Sequence, residues 1–134
     1  MDTAFLVIAL IFAVLAALIH VVIFFLESVL WSKPTIWRRF GVASRDDAAV
    51  LQPMAYNQGF YNLFLAIATG LGIVLIAAAP VHNVGVGIAG VALASMLLAS
   101  IVLITSNPKL ARAALTQGLP PLIALIFGVL WVVL

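Results

Sequence analysis

Two ionisable side chains lie inside the first long apolar run of the sequence, where a membrane-spanning helix is expected. The run covers residues 3–31, with His20 near its middle and Glu27 about one turn from its end. A charged side chain at the bilayer centre costs about 2.5–3.5 kcal/mol on insertion scales, so such groups usually face the interior of a helix bundle. Spacing at about 100° per residue places seven residues on one stripe of this helix: Ala9, Ala13, Ala16, His20, Phe24, Glu27 and Trp31.

Glu27 and His20 are the candidates for acid–base chemistry. They are separated by about 10.5 Å along a helix axis, so they share a face without touching. No pair of His or carboxylate residues has metal-ligand spacing, and the chain has no cysteine. Thiolate metal sites, disulfides and cysteine nucleophiles are therefore excluded, and we expect neither a metal nor a cofactor.

A cluster of polar side chains, within residues 57–62, lies at the start of the second apolar run, and the Gln117 amide lies at the start of the fourth. Helices one and two are antiparallel neighbours, so these side chains can face Glu27 and Trp31 at one depth. Convergent polar groups in an apolar lining are typical of a ligand site. The alternative is that these side chains form structural hydrogen bonds between helices, worth about 0.6 kcal/mol each on average. For Gln117 taken by itself, this alternative is the better interpretation. The predicted ligand-binding residues are Trp31, Asn57, Gln58, Tyr61, Asn62 and Gln117.

Composition indicates an integral membrane protein with one domain over residues 1–134. The chain is 66% hydrophobic and 7% charged, whereas soluble domains carry about 25% charged residues. Four runs are long enough to cross about 30 Å of hydrocarbon, at 3–31, 54–79, 82–105 and 119–134. We therefore predict an all-α fold of four transmembrane helices. Pro53 is expected to interrupt the chain before the second run, and the short fourth run needs residues before Pro120.

The distribution of basic residues predicts the orientation. All six lie in two loops. Between runs one and two are Lys33, Arg38, Arg39 and Arg45, and between runs three and four are Lys109 and Arg112. The positive-inside rule places both loops in the cytoplasm and both termini outside, in the cell (inner) membrane. The basic residues follow the first run, so we expect a retained span and no cleaved signal peptide. A net charge of +2 gives no support for nucleic-acid binding.

Two features suggest internal symmetry and self-association. Ser32-Lys33-Pro34 and Ser106-Asn107-Pro108 end runs one and three, and a Gln-Gly pair opens runs two and four. Two tandem helical hairpins are one interpretation, and common helix-boundary chemistry is the other. Small residues on run three, with the alanine stripe of run one, favour a homo-oligomer.

The Asn57-Gln58-Gly59-Phe60-Tyr61-Asn62 segment, with Glu27 and Gln117-Gly118, resembles a family of small bacterial and fungal membrane proteins of unknown function. The resemblance covers nearly the whole chain, implies four spans and supplies no activity. A weaker, architectural resemblance is to the membrane-associated eicosanoid and glutathione metabolism proteins, which are four-span trimers with a ligand site on the cytosolic side. The arginine-bearing second-helix motif of those proteins is missing here.

Three functions remain open from the sequence. The leading hypothesis is a protein that binds a membrane lipid or apolar small molecule in a polar-lined pocket near the cytoplasmic leaflet. The second is a membrane enzyme that uses Glu27 or His20 as general acid or base on such a ligand. The third is a proton-coupled transporter, and an accessory subunit of a larger complex is a further alternative.

Overall fold

The computed structural model describes residues 3–134, apart from the side chain of Ala79, and these residues form helices joined by short turns. No strand occurs among them. The predicted all-α class is therefore confirmed. The α-helices are α1 (Thr3–Phe24), α2 (Pro34–Trp37), α3 (Arg45–Ala77), α4 (His82–Ser106) and α5 (Ala111–Val133). A π-helical turn (Phe25–Val29) continues α1, and 3-10 turns occupy Arg38–Phe40, Ala79–Val81 and Pro108–Leu110.

Four helical segments are long and apolar enough to cross a membrane: Thr3–Val29, Arg45–Ala77, His82–Ser106 and Pro108–Val133. The protein is thus a multi-pass membrane protein, as the composition predicts. Which side the loops face stays a prediction. We call the end of the bundle that holds residues 30–44 and 107–110 the loop end. The opposite end, which holds the Ala79–Val81 turn, is the turn end.

The four spans form an up-and-down bundle. α1 packs against α3 and α5, α4 packs against the same two helices, and α1 and α4 lie diagonally across the bundle. Mostly small residues fill the core between them, which lets the helices approach closely in a membrane. The buried core cluster is Ala13, Ala16, Leu93, Met96 and Ala124.

Glycine allows α3 and α4 to approach closely near the turn end. A Cβ atom on Gly85 would lie 2.5 Å from the Ile76 nitrogen and 2.7 Å from the Gly72 carbonyl oxygen. Both atoms belong to the backbone, so they cannot move aside as a flexible side chain would. The two helices are in direct backbone contact at this point because neither glycine carries a side chain.

The second span begins earlier than predicted. α3 starts at Arg45, where the Asp47 amide donates to Ser44 Oγ at 3.1 Å, and it continues through Pro53 as one helix of 33 residues. The predicted interruption at Pro53 is therefore wrong. A proline cannot donate to the carbonyl four residues earlier, here that of Ala49. The indole of Trp31 donates to the neighbouring Ala48 carbonyl at 2.9 Å, which supports the helix there.

The connection after α1 folds onto the first turns of α3. A helix of this length rises roughly 50 Å, more than the about 30 Å of bilayer hydrocarbon. Its first turns therefore extend past the hydrocarbon, where they pack with the connecting loop. The buried residues of this loop cluster are Trp31, Trp37, Ala48 and Ala55.

The fourth span also begins before its apolar run. α5 starts at Ala111 and passes through Pro120 and Pro121. This agrees with the expectation that the short last run needs residues before Pro120. The tandem-hairpin interpretation stays a prediction, although each connection at the loop end contains a 3-10 turn and a nearby proline, Pro34 or Pro108.

Candidate functional site

The polar stripe of the first span faces the bundle interior as predicted. Six of its seven residues are buried, namely Ala9, Ala13, Ala16, His20, Glu27 and Trp31. The seventh, Phe24, is half-buried, and its ring lies 5.1 Å from that of Phe60 on α3. A helical period and the requirement that polar groups avoid lipid were sufficient to identify this face.

Glu27 lies in the π-helical turn at the end of the first span. This turn, Phe25–Val29, ends where the Leu30 amide donates to the Phe25 carbonyl at 2.8 Å. Single π-helical turns are rare in proteins, and those that do occur are frequently found at functional sites. Glu27 is only 4% exposed, so its carboxyl group is held inside the protein.

Asn62 on α3 is the side chain that meets this carboxyl group. Its Nδ2 atom donates to Glu27 Oε2 at 3.0 Å and to the Gln58 carbonyl at 3.0 Å. The second bond fixes the amide against its own helix, so its orientation towards Glu27 is set in advance. The predicted convergence of a carboxyl group and an amide from separate spans is therefore present.

Gly59 brings the two helices close enough for this contact. A Cβ atom at this position would lie 3.1 Å from Glu27 Cβ, and it would overlap Ser28 Oγ. Ser28 Oγ in turn donates to the Tyr56 carbonyl of α3 at 2.8 Å. Neither Gly59 nor Ser28 was predicted from the sequence as a site residue. A glycine between polar residues was the available signal, because glycine permits close backbone approach.

His20 is fully enclosed but separate from Glu27. It is 1% exposed, and its Nδ1 atom lies 2.9 Å from the Ala16 carbonyl of its own helix. A carbonyl oxygen can only accept, so Nδ1 carries the proton in this contact. Within residues 3–134 no hydrogen bond joins His20 to Glu27.

The remaining predicted residues are more dispersed than one pocket requires. Trp31 is buried, but it belongs to the loop cluster. Gln58 contributes its carbonyl, whereas its side chain and that of Asn57 are exposed. Tyr61 is 61% exposed, and Gln117 is half-buried on α5. The structure therefore brings together Glu27, Asn62 and the Gln58 main chain, and the ligand-binding roles of all these residues stay predictions.

The larger of two described cavities lies towards the turn end of the bundle, away from Glu27. Its volume is about 410 Å³, and all four spans line it. Its walls are apolar, and they include Leu10, Ala13, Ile73, Gly90, Leu93, Gly128 and Trp131. Sequence reasoning missed this cavity, because each of these residues alone looks like an ordinary apolar position of a membrane helix.

A smaller cavity of about 160 Å³ lies between α4 and α5. Ser100 and Gly118 line it, and neither Glu27 nor Asn62 borders either cavity. Among residues 3–134, no group of three or more His, Cys, Asp and Glu side chains is arranged to hold a metal ion.

The architecture and the buried polar contact define a small four-span membrane protein. Residues 14–129 match the model of DUF1304, a protein family of unknown function. The match covers most of the chain, so the protein belongs to this family, as the resemblance in sequence predicted. Neither a curated protein nor a solved structure matches the chain. The likeness to the eicosanoid and glutathione metabolism proteins stays a prediction.

Proposed function

We propose that the protein binds an apolar molecule from the bilayer, such as the acyl chain of a lipid, in the 410 Å³ cavity between its spans. This cavity is the observation that carries the proposal. Small-molecule sites are typically concave and mostly apolar, with volumes of about 300–1,000 Å³. The proposal keeps the ligand class favoured by the sequence and moves the site towards the turn end.

The apolar lining determines the class of ligand. A polar group inside this cavity would lose its hydrogen bonds to water without gaining partners from the walls. An apolar chain would gain dispersion contacts that the cavity walls otherwise lack. The lining residues Val129 and Val132 belong to a membrane span and are exposed on its outer surface, so a ligand can enter from the surrounding hydrocarbon.

This site is distinct from the predicted pocket at Glu27. The cavity extends along α1 as far as Ala13, which is roughly 20 Å from Glu27 along the helix axis. The head group of a short ligand in the cavity therefore does not reach the carboxyl group. A homo-oligomer remains part of the proposal only as an expectation from the small-residue faces.

Quenching of Trp131 fluorescence tests the proposal directly. Trp131 lines the cavity and is 7% exposed, whereas Trp31 and Trp37 belong to the loop cluster. A fatty acid with two bromine atoms at mid-chain is expected to quench a saturable part of the emission in detergent. Trp131→Phe, which keeps an aromatic ring, should remove that part. Quenching that is unchanged in Trp131→Phe would contradict binding in this cavity.

The π-helical turn supports a second candidate, in which Glu27 exchanges protons as part of catalysis or proton-coupled transport. A buried carboxyl group that has one fixed hydrogen-bond donor, Asn62, is suited to hold and release a proton. His20 would serve as a second group on the same stripe.

Difference infrared spectroscopy tests this second candidate. We expect a pH step to change the carboxyl band of the wild-type protein within the range in which the protein stays folded. Glu27→Gln should remove one component of this change and leave the component of the exposed Asp46 and Asp47. The amide oxygen of the glutamine can still accept from Asn62, so the fold is retained. Asn62→Leu should alter the position of the band. A pH difference spectrum in the carboxyl region that is the same for the wild type and Glu27→Gln would dispose of a proton-exchange role for Glu27.

A further inference from the structure

We propose that the two connections at the loop end form one binding face for the phosphate of an anionic phospholipid head group. This face is far from the apolar cavity, so the proposal stands independently of the one for the acyl chain. It rests on the contact between the two connections, on their unpaired charges and on the fixed conformation of the first.

The two connections meet at Gly41 and Asn107. Gly41 follows the Arg38–Phe40 turn and has a φ of 81°, a left-handed conformation that favours glycine. A Cβ atom on Gly41 would lie 4.0 Å from Asn107 Nδ2. Arg39 and Lys109 each lie two residues from this contact, on separate connections. Two basic residues that are distant in sequence therefore each lie within two residues of one contact between the connections.

The positive charges of this end are not neutralised within the protein. All six Lys and Arg residues of the chain belong to it, and none of them forms an ion pair within residues 3–134. The two exposed carboxylates there, Asp46 and Asp47, lie in the first turn of α3. Asp47 accepts from Ser44 Oγ at 2.5 Å, and the helix N-terminus stabilises negative charge. The carboxylates of Asp46 and Asp47 thus lie at the N-terminus of α3, and neither forms an ion pair with a basic residue of the face within the described part of the chain.

The first connection is held in place, so its basic side chains start from a fixed backbone. Trp37 is 4% exposed, and the Arg38 guanidinium lies over its ring at 5.2 Å. The Trp31 indole fastens the same connection to α3. A cation over an aromatic ring keeps its charge while its position is restrained.

The position of this face favours a lipid as the partner. The connections directly follow Val29 and Ser106, the last residues of two spans, which places them at head-group depth. Basic clusters next to membrane spans attract anionic lipids, and basic pockets between helices bind their phosphate groups. A soluble anion would not require both halves of the face to lie at the ends of spans.

Native mass spectrometry in mild detergent, with titrated phosphatidylglycerol or phosphatidylcholine of the same chains, tests the proposal. We expect the wild-type protein to prefer phosphatidylglycerol. The double variant Arg39→Gln/Lys109→Gln should weaken its binding about thirtyfold, with little effect on phosphatidylcholine.

The matched control removes the same charge from the helices that flank the two connections, as Arg45→Gln on α3 with Arg112→Gln on α5. It should weaken binding no more than about threefold, because these exposed charges lie outside the connections that form the face and are screened by solvent and salt. All four substitutions are at exposed side chains, so unchanged thermal melting would verify that both variants fold. Equal losses in the two variants, or a wild-type protein without lipid preference, would overturn the proposal.

Discussion

Gly90→Leu is expected to weaken binding of the brominated fatty acid at least tenfold. Gly90 lines the apolar cavity, and a Cβ atom added there would meet no atom within 4 Å. The leucine side chain can therefore enter the cavity without displacing the helices. Each buried methylene contributes about 0.8 kcal/mol, so exclusion of two methylenes of the ligand accounts for more than a tenfold loss. The titration of Trp131 quenching measures the effect.

Gly87→Leu is the matched control for this substitution. Gly87 lies on the same helix, has equally open space for a Cβ atom and does not line the cavity. Both substitutions replace a helical glycine by a better helix former, so both should improve local helix stability to a similar extent. Binding should stay at the wild-type level in Gly87→Leu. If both variants bind as the wild type does, the ligand does not occupy this cavity.

Gly85→Ala is expected to destabilise the folded bundle by about 3 kcal/mol, at the upper end of typical overpacking effects. The added Cβ atom would lie 2.5 Å from the Ile76 nitrogen and 2.7 Å from the Gly72 carbonyl oxygen. Real Cβ atoms do not approach backbone so closely, so α3 and α4 must separate and lose packing along their contact. Unfolding in mild detergent titrated with a denaturing detergent measures the change in free energy.

Gly87→Ala controls for the change in helix propensity. The added methyl group meets no atom within 4 Å, so this variant should be as stable as the wild type or up to about 1 kcal/mol more stable. Gly85→Ala should lie well below both. Equal stability of the two alanine variants would contradict the direct backbone contact between α3 and α4.

The sequence was most informative where polar groups lie inside a span. The stripe from Ala9 to Trp31 could be predicted because a helix has a fixed period and a buried carboxyl group must avoid lipid. The same reasoning identified Asn62 as a partner of Glu27. The four spans followed from composition and length alone, since few structures besides helices can cross a bilayer.

Helix ends were harder to predict, because neighbouring segments decide whether a helix continues. Pro53 normally marks a boundary, yet α3 passes through it, and the Trp31 indole donates to the Ala48 carbonyl in the turn before it. That contact joins residues that are separated by a loop, so no local pattern indicates it. The start of α5 at Ala111 was easier, because a span beginning at residue 119 would be too short.

Which side chains line a site depends on small rotations of each helix about its axis. The periodic pattern of the sequence does not resolve these rotations. Gly59 and Ala66 lie on the buried face of α3, whereas Tyr61 and Gln58 lie off its edge and are exposed. The apolar cavity gave no signal at all, because a residue such as Leu93 or Gly128 is equally common against lipid, against another helix or beside a void. Only the relative placement of all four spans determines where space remains.

The most direct test of the proposed function is to locate the brominated chain in the protein by anomalous diffraction from crystals grown with the fatty acid. We predict bromine peaks inside the bundle near Leu93 and Gly128, in the cavity that all four spans line. In Gly90→Leu crystals these peaks should disappear. Bromine only on the outer surface of the helices, or only between Ser100 and Gly118, would contradict the proposed binding site.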